Sequence, residues 1–257
     1  MNISILTLFP EMFQGPFDYS IIKNAKVQKK VDIEFINIRD FGIGKHKVVD
    51  DKPYGGGIGM ILRVDVLEKA ISETKDLPAI SSRRRQAQAG KRPASPAQTR
   101  RGWPRGELTT KDQRVILLSP HGKTFNQKKA LELSRLKHLI LVCGRYEGID
   151  ERAKEFIDEE LSIGDFVVTG GEIPAMLVVD AVVRLIDGVL KKGVTTSESF
   201  SPILEYPQYT KPNAFKNLDV PPILLSGDHK KIKDWRDNEA LIITNKLRPD
   251  LLSRKKS

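Results

Sequence analysis

The chain has 257 residues, a formal net charge of +10, 39% apolar residues and one Cys. That length buries the core of one large domain or two small ones, and the composition excludes a wholly disordered, collagen-like or disulfide-stapled chain. Cys143 alone rules out an internal disulfide and a CxxC zinc site. No apolar run approaches the roughly 18 residues of a membrane span, and no membrane partner is expected. The opening MNISILTLFPEMF has no basic residue ahead of its apolar stretch. It reads as a first strand and not as a signal peptide, so a cytoplasmic protein is expected.

The excess charge is local. Residues 1–82 balance 11 basic against 11 acidic groups, 83–105 hold 8 basic and none acidic, 106–200 hold 13 and 15, and 201–257 hold 11 and 7. Positive charge of this size suggests a nucleic-acid partner, yet most of it sits in one short segment and a C-terminal piece.

In chain order, residues 2–8 (NISILTL) and 31–38 (VDIEFINI) are short, β-branched and apolar, the pattern of strands. Residues 19–30 between them read as a helix with a basic face. Residues 39–60 break all periodicity and end in Pro53-Tyr54-Gly55-Gly56-Gly57-Ile58-Gly59. A helix is expected at about 63–73, with Val64, Leu67, Ala70 and Ile71 on one face. A strand at 115–118, a helix near 126–136, a strand at 138–142 and a helix near 149–157 follow. Strands at 159–163 and 166–168 lead into a helix from about 173 to 190. Strands alternating with helices predict an α/β fold with a parallel sheet. Segment 81–113 interrupts the rhythm. Rich in Arg, Gln, Ala, Pro and Gly, it reads as a disordered insertion. Residues 191–200 read as a mobile linker, and the chain turns helical again after Pro212. Ser226 is the expected N-cap of a helix carrying Ile232, Trp235 and Ile242. The expected domains are 1–190 and 201–257, joined by 191–200.

Chemistry is suggested by three Gly/Pro loops, each after an apolar strand. They are Ser119-Pro120-His121-Gly122, Cys143 to Gly148, and Ile163-Gly164-Asp165 through Thr169-Gly170-Gly171-Glu172-Ile173-Pro174. Loops at the carboxyl ends of parallel strands converge on one crevice, and glycine lets a ligand approach the backbone closely. Gly122-Lys123-Thr124 is not a phosphate loop, because position 117 is Leu where that motif needs Gly. The four His are scattered without zinc-like spacing. Read locally, Arg184 is a solvated residue paired with Asp180 at i,i+4, opposite an apolar stripe of Leu177, Val178, Ala181, Leu185 and Val189. Glu198 reads as a solvated loop carboxylate, Asp50-Asp51 as turn residues and Cys143 as packing.

Several segments together resemble the bacterial tRNA (guanine-N1)-methyltransferase family, of the SPOUT class of knotted methyltransferases. They are LTLFPEMF (6–13), RDF (39–41), VVDDKPYGGGIGM (48–60), LLSPHG (117–122), LVCGRYEGIDER (141–152), LSIGDFVVTGGEIPAM (161–176), DAVVRLIDGVL (180–190), ESF (198–200), YPQYTKP (206–212) and VPPILLSGDHKKIKDWR (220–236). The resemblance covers the chain except 81–113. It implies a parallel-sheet α/β fold with a deep trefoil knot, followed by a small helical C-terminal domain that docks tRNA. It implies a homodimer with active sites at the subunit interface, S-adenosylmethionine as cofactor, tRNA and not DNA as partner, and methylation of N1 of guanosine 37 beside the anticodon.

Carried over by position, the resemblance assigns cofactor binding to Leu118, Ser119, Pro120 and Gly122. A second loop adds Gly144, Tyr146 and Glu147. A third adds Ile163, Gly164, Asp165, Phe166, Val167, Val168, Gly170, Gly171 and Pro174. Substrate contacts fall on Asp50, Asp51, Tyr54, Gly55, Gly56, Gly57, Gly59, Ser199 and Lys211. Arg184 then faces the target base, against its local reading, and Glu198 is the general base, where the family carries Asp. Ile58 stands where Pro is usual, and Asp228 where Asn or His is common. No metal ligands are assigned, and a part for magnesium is not legible in the sequence. Two other readings are a knotted methyltransferase acting on another RNA, against which PYGGG, ESF and YPQYTKP speak together, and a non-catalytic RNA-binding homologue in which Glu for Asp impairs catalysis.

Overall fold

From the N-terminus the chain runs through β1 (Asn2–Thr7), α1 (Ser20–Val27), β2 (Asp32–Asn37), β3 (Asp50–Asp51), β4 (Ile61–Leu62) and α2 (Val64–Lys75). It continues through β5 (Gln113–Thr124), α3 (Gln127–Leu133), β6 (His138–Cys143), β7 (Glu159–Ser162) and α4 (Glu172–Val183). This computed structural model describes residues 1–76, 112–196 and 198–253. The chain divides into two units, Met1–Val189 and Leu190–Ser257.

The first unit is built on one sheet in the order β2-β1-β6-β5-β7, with every pairing parallel, as the alternation of strands and helices predicts. Both faces are covered, which explains why the central strands are apolar at successive positions. Ile3, Ile5, Ile116, Leu139 and Leu141 face one core with Ala25, Ala130, Leu133, Val178 and Val182 of α1, α3 and α4. Leu6, Val115, Leu117, Ile140 and Val142 face the other, with Val66, Leu67, Ala70 and Ile71 of α2. All six residues of β6 are buried. Leu141→Ala there would cost about 2–5 kcal/mol.

Several expectations are corrected. Residues 149–157 do not form an α-helix; Glu151–Phe156 is a 3-10 helix capped by Asp150, whose carboxylate accepts from the Arg152 N–H. Residues 166–168 are not a strand: Phe166, Val167 and Val168 are 58%, 90% and 37% exposed in a loop. The helix expected to reach 190 ends at Val183, and turns follow it. Its buried stripe is Ala175, Val178, Val179, Val182 and Val183, while Leu177 is exposed. Residues 39–60 are not wholly irregular, because β3 pairs antiparallel with β4. The expected insertion 81–113 lies outside the described residues except for Asp112 and Gln113, and Gln113 already opens β5.

β5 carries the feature that shapes the site. Leu118 and Lys123 both pair with Leu161, so Ser119–Gly122 loops out of the strand as a large bulge. Gly122 brings the chain back against β7 so closely that a Cβ would lie 2.5 Å from the Glu160 carbonyl carbon.

The second unit opens with a 3-10 turn at Val194–Thr196. After Pro212 the chain forms a hairpin, not a helix: β8 (Ala214–Phe215) pairs with β9 (Leu218–Asp219). Lys216 and Asn217 at its tip have φ of 48° and 64°, the primed turn that two-residue hairpins favour. Helices α5 (Pro222–Leu225), α6 (His229–Leu247) and α7 (Asp250–Ser253) follow. Asp228, not Ser226, caps α6, accepting from the Lys231 N–H at 3.1 Å; Ser226 ends α5 instead. Thr244, fully buried in α6, donates to the Ala240 carbonyl and accepts the Leu204 N–H, which fastens the preceding segment to the helix.

Candidate active site

At the carboxyl ends of β5, β6 and β7 a cavity of about 390 Å³ opens, within the size range of nucleoside cofactor sites. Its walls are the β5 bulge with Ser119, Pro120 and His121, the loop after β6 from Gly144 to Ile149, and the loop after β7 from Ile163 to Gly171. Pro174 of α4 closes one side. The three loops singled out in the sequence therefore converge, because parallel strands point them the same way.

The lining is rich in backbone and short of cations. Arg145 and Lys154 are its Lys and Arg, against Glu147, Glu151 and Glu160. Lys154 is itself paired with Glu160 at 3.0 Å. This donor set does not resemble a phosphate cradle. It suits a ligand with a neutral base, ribose hydroxyls and a positive centre, and S-adenosylmethionine has these features.

Of the sixteen residues assigned to the cofactor, all but Gly122 and Asp165 line this cavity. Gly122 serves the strand return against β7 described above. Cys143, at the end of β6, is wholly buried, and burial holds its thiol pKa well above the usual range. It is packing, as expected.

The loops are cross-braced. The Gly171 N–H donates to the Gly144 carbonyl at 2.9 Å. Glu172, fully buried in the first turn of α4, accepts from Arg145 Nε at 2.9 Å and from Thr7 Oγ1 at 2.8 Å. Arg145 Nη1 donates to the Thr169 carbonyl at 3.1 Å, and its guanidinium lies 4.6 Å from the Phe9 ring centroid. Sequence reasoning gave Arg145, Glu172 and Thr7 no role. An acidic residue after Gly-Gly reads as an ordinary helix N-terminus, and the usable signal was a cation inside one glycine loop and a carboxylate just after another.

The 50–59 loop leads away from β3. Gly55, Gly56 and Gly57 all take positive φ, which leaves Tyr54 98% exposed. Asp51 is held by Arg63 at 3.2 Å. The loop's far end meets the cofactor wall: the Glu147 N–H donates to the Met60 carbonyl at 3.0 Å, and a Cβ on Gly59 would fall 2.5 Å from Glu147 Cγ. Arg184 caps the C-terminus of α4, half-buried, about 15 Å along the helix from Pro174.

Glu198, Ser199 and Lys211 belong to the second unit. Glu198 sits in a fastened turn. Its carbonyl accepts the Ser201 N–H, Ser199 Oγ accepts the Glu205 N–H, and the Arg248 guanidinium lies 5.7 Å from the Phe200 ring. Among the described residues, no group of three or more His, Cys, Asp or Glu is arranged to hold a metal ion. No described helix is long and apolar enough to cross a membrane.

The chain matches the family described as tRNA (Guanine-1)-methyltransferase TrmD over residues 1–85 and 105–254. The stretch left unmatched is thus narrower than 81–113. Proteins described as tRNA (guanine-N(1)-)-methyltransferase are similar along nearly the whole chain. That of Dictyoglomus turgidum is 49% identical over 256 residues, covering 99% of this chain and 91% of the relative. That of Desulforudis audaxviator is 48% identical over 254 residues, 98% and 90%. That of Geobacter sulfurreducens is 46% identical over 255 residues, 98% and 91%. With identity of this order over almost every described element, the chain belongs to the tRNA (guanine-1)-methyltransferase family.

Proposed function

We propose that this protein is an enzyme that methylates N1 of guanosine 37 in tRNA, with S-adenosylmethionine as methyl donor. The carrying observation is the backbone-lined, cation-poor cavity formed by three loops in a chain of this family. S-adenosylmethionine, when bound, supplies an electrophilic methyl group next to a good sulfur leaving group.

The residues then divide the work. Leu118, Ser119, Pro120, Gly144, Tyr146, Ile163, Gly164, Phe166, Val167, Val168, Gly170, Gly171 and Pro174 hold the cofactor through backbone and apolar contact. Glu147 couples that wall to the 50–59 loop, where Asp50, Asp51, Tyr54 and the glycines contact the RNA. Glu198 takes the proton from guanine N1, and the freed electron pair attacks the methyl carbon. Arg184 offsets the negative charge that develops on the base. Ser199 and Lys211 contact the tRNA, and the basic helical second unit docks it. Positioning supplies much of the rate, since methyl transfer is an in-line displacement.

The protein acts as a cytoplasmic homodimer with a trefoil-knotted cofactor domain. Exposed Phe9, Met12, Ile173 and Leu177 on the first unit support a partner surface. The test is incubation with labelled S-adenosylmethionine and a tRNA transcript bearing guanosine at positions 36 and 37. Label at N1 of guanosine 37 is expected, and its absence overturns the proposal.

A further inference from the structure

Arg145 belongs to one cavity loop and Glu172 directly follows another, yet only Arg145 lines the cavity. Glu172 is buried completely and uses both carboxylate oxygens, one for Thr7 and one for Arg145. Arg145 spreads over three elements: Nε to Glu172, Nη1 to the Thr169 carbonyl, and its plane over Phe9. Gly170 lies beneath it, bare because a Cβ would overlap the guanidinium. The loops it joins also meet directly, Gly171 N–H to Gly144 carbonyl.

A buried ion pair is a poor source of net stability, since desolvation offsets its attraction, but its geometry is stiff. A planar fork holds several acceptors at fixed spacing, and a lysine ammonium does not. We infer that the Arg145–Glu172 pair is a positioning device that sets the gap between the 144–148 and 169–171 loops and thereby controls cofactor affinity. The inference rests on the S-adenosylmethionine reading of the cavity. Glu172 touches no cavity surface, so its influence on a ligand travels through Arg145 and the first turn of α4.

The test compares wild type, Arg145→Lys, Glu172→Gln and the double variant without tRNA. Calorimetry gives the Kd for S-adenosylmethionine. Thermal melting gives Tm. The reaction rate of Cys143 with a thiol reagent reports loop opening, because this single cysteine lies under Gly171. Arg145→Lys and Glu172→Gln should each raise Kd about tenfold, and the double variant no further than the worse single, as for one shared tie. Cys143 should react faster in each, at a temperature well below every Tm. Arg145→Lys should melt within about 3 °C of wild type.

Kd values within twofold of wild type, or multiplicative effects in the double variant, overturn the inference. If Glu172→Gln does not fold, Arg145→Lys decides alone, by Kd and Cys143 labelling. A wild type that binds no S-adenosylmethionine sinks the cofactor reading and the inference with it. Unchanged affinity in the variants of a binding wild type sinks the inference alone.

Discussion

Gly171 and Cys143 pack backbone to backbone: a Cβ on Gly171 would stand 2.6 Å from Cys143 Cα. The contact seats the 169–171 loop on the end of β6 and aligns the Gly171 N–H with the Gly144 carbonyl. Gly171→Ala therefore forces the two loops apart. Overpacking of this kind costs about 1–3 kcal/mol, which lowers Tm by about 2–4 °C for each kcal/mol in a chain of this size. S-adenosylmethionine affinity should fall with it. Melting and calorimetry check both, and an alanine variant with unchanged Tm and Kd would show that the contact constrains neither.

Gly122 and Gly144 make a sharper pair. A Cβ on Gly122 would enter the backbone of β7, 2.5 Å from the Glu160 carbonyl carbon, where no side chain can give way. A Cβ on Gly144 would meet only the Leu118 carbonyl oxygen, at 3.4 Å. Gly122→Ala should thus be the more destabilising by at least about 1 kcal/mol in urea denaturation, although Gly144 lines the cavity and Gly122 does not. Gly144→Ala should fold well. Equal midpoints for the two would contradict the strand-return role of Gly122.

The sheet was legible in the sequence because strands buried on both faces, such as Leu139–Cys143, stand out from any background, and alternation with helices leaves few topologies. The three site loops were legible for the same reason, each following such a strand. What failed was local. Phe166-Val167-Val168 is apolar and β-branched, so it reads as a strand, yet it lies exposed on a cavity wall. Ser226 reads as a good N-cap, and the better-placed Asp228 two residues on took the role. The Ser119–Gly122 bulge is invisible to periodicity, since both its ends pair with one residue, Leu161. The catalytic parts proposed for Glu198 and Arg184 came only through family resemblance, because a loop carboxylate and an arginine in an i,i+4 pair read locally as solvated residues.

His138 predicts an acid sensitivity. It is 3% exposed, with Nε2 2.8 Å from Ser4 Oγ and Nδ1 3.1 Å from Gln113 Oε1. With a carbonyl at Nδ1, the ring donates there and accepts the Ser4 hydroxyl at Nε2, the pattern of a neutral imidazole. Burial lowers its pKa from 6.5 to about 4. Between those values the unfolded chain binds a proton that the folded chain does not, so stability falls as pH drops through this window. The loss from this group levels off at about 3 kcal/mol once the pH is below the folded value. Urea denaturation of wild type and His138→Gln at pH 7 and pH 4.5 isolates the contribution, because the carboxylates are common to both. The variant should lose less stability on acidification, and equal losses would sink the assignment.

Glu198 is the chemical test of the site. Its turn is fixed through Ser199, Phe200 and Ser201 by hydrogen bonds to Glu205, Ile203 and Thr195, so its backbone is defined without RNA. A general base contributes about 100- to 10,000-fold. Glu198→Gln keeps the shape and removes the basicity, so kcat should fall within that range while tRNA affinity changes little. Glu198→Asp shortens the side chain by one methylene but restores the residue usual in the family, so it should stay within about tenfold of wild type, unlike the amide. Arg184→Ala separates charge compensation from structure. Arg184 is only half-buried at a helix end, so the melting temperature should hardly move while kcat falls about 100-fold or more. Single-turnover methyl transfer with saturating tRNA measures each loss apart from product release. Full turnover in Glu198→Gln would exclude the carboxylate as base, and wild-type rates in Arg184→Ala would return that residue to a solvated helix end.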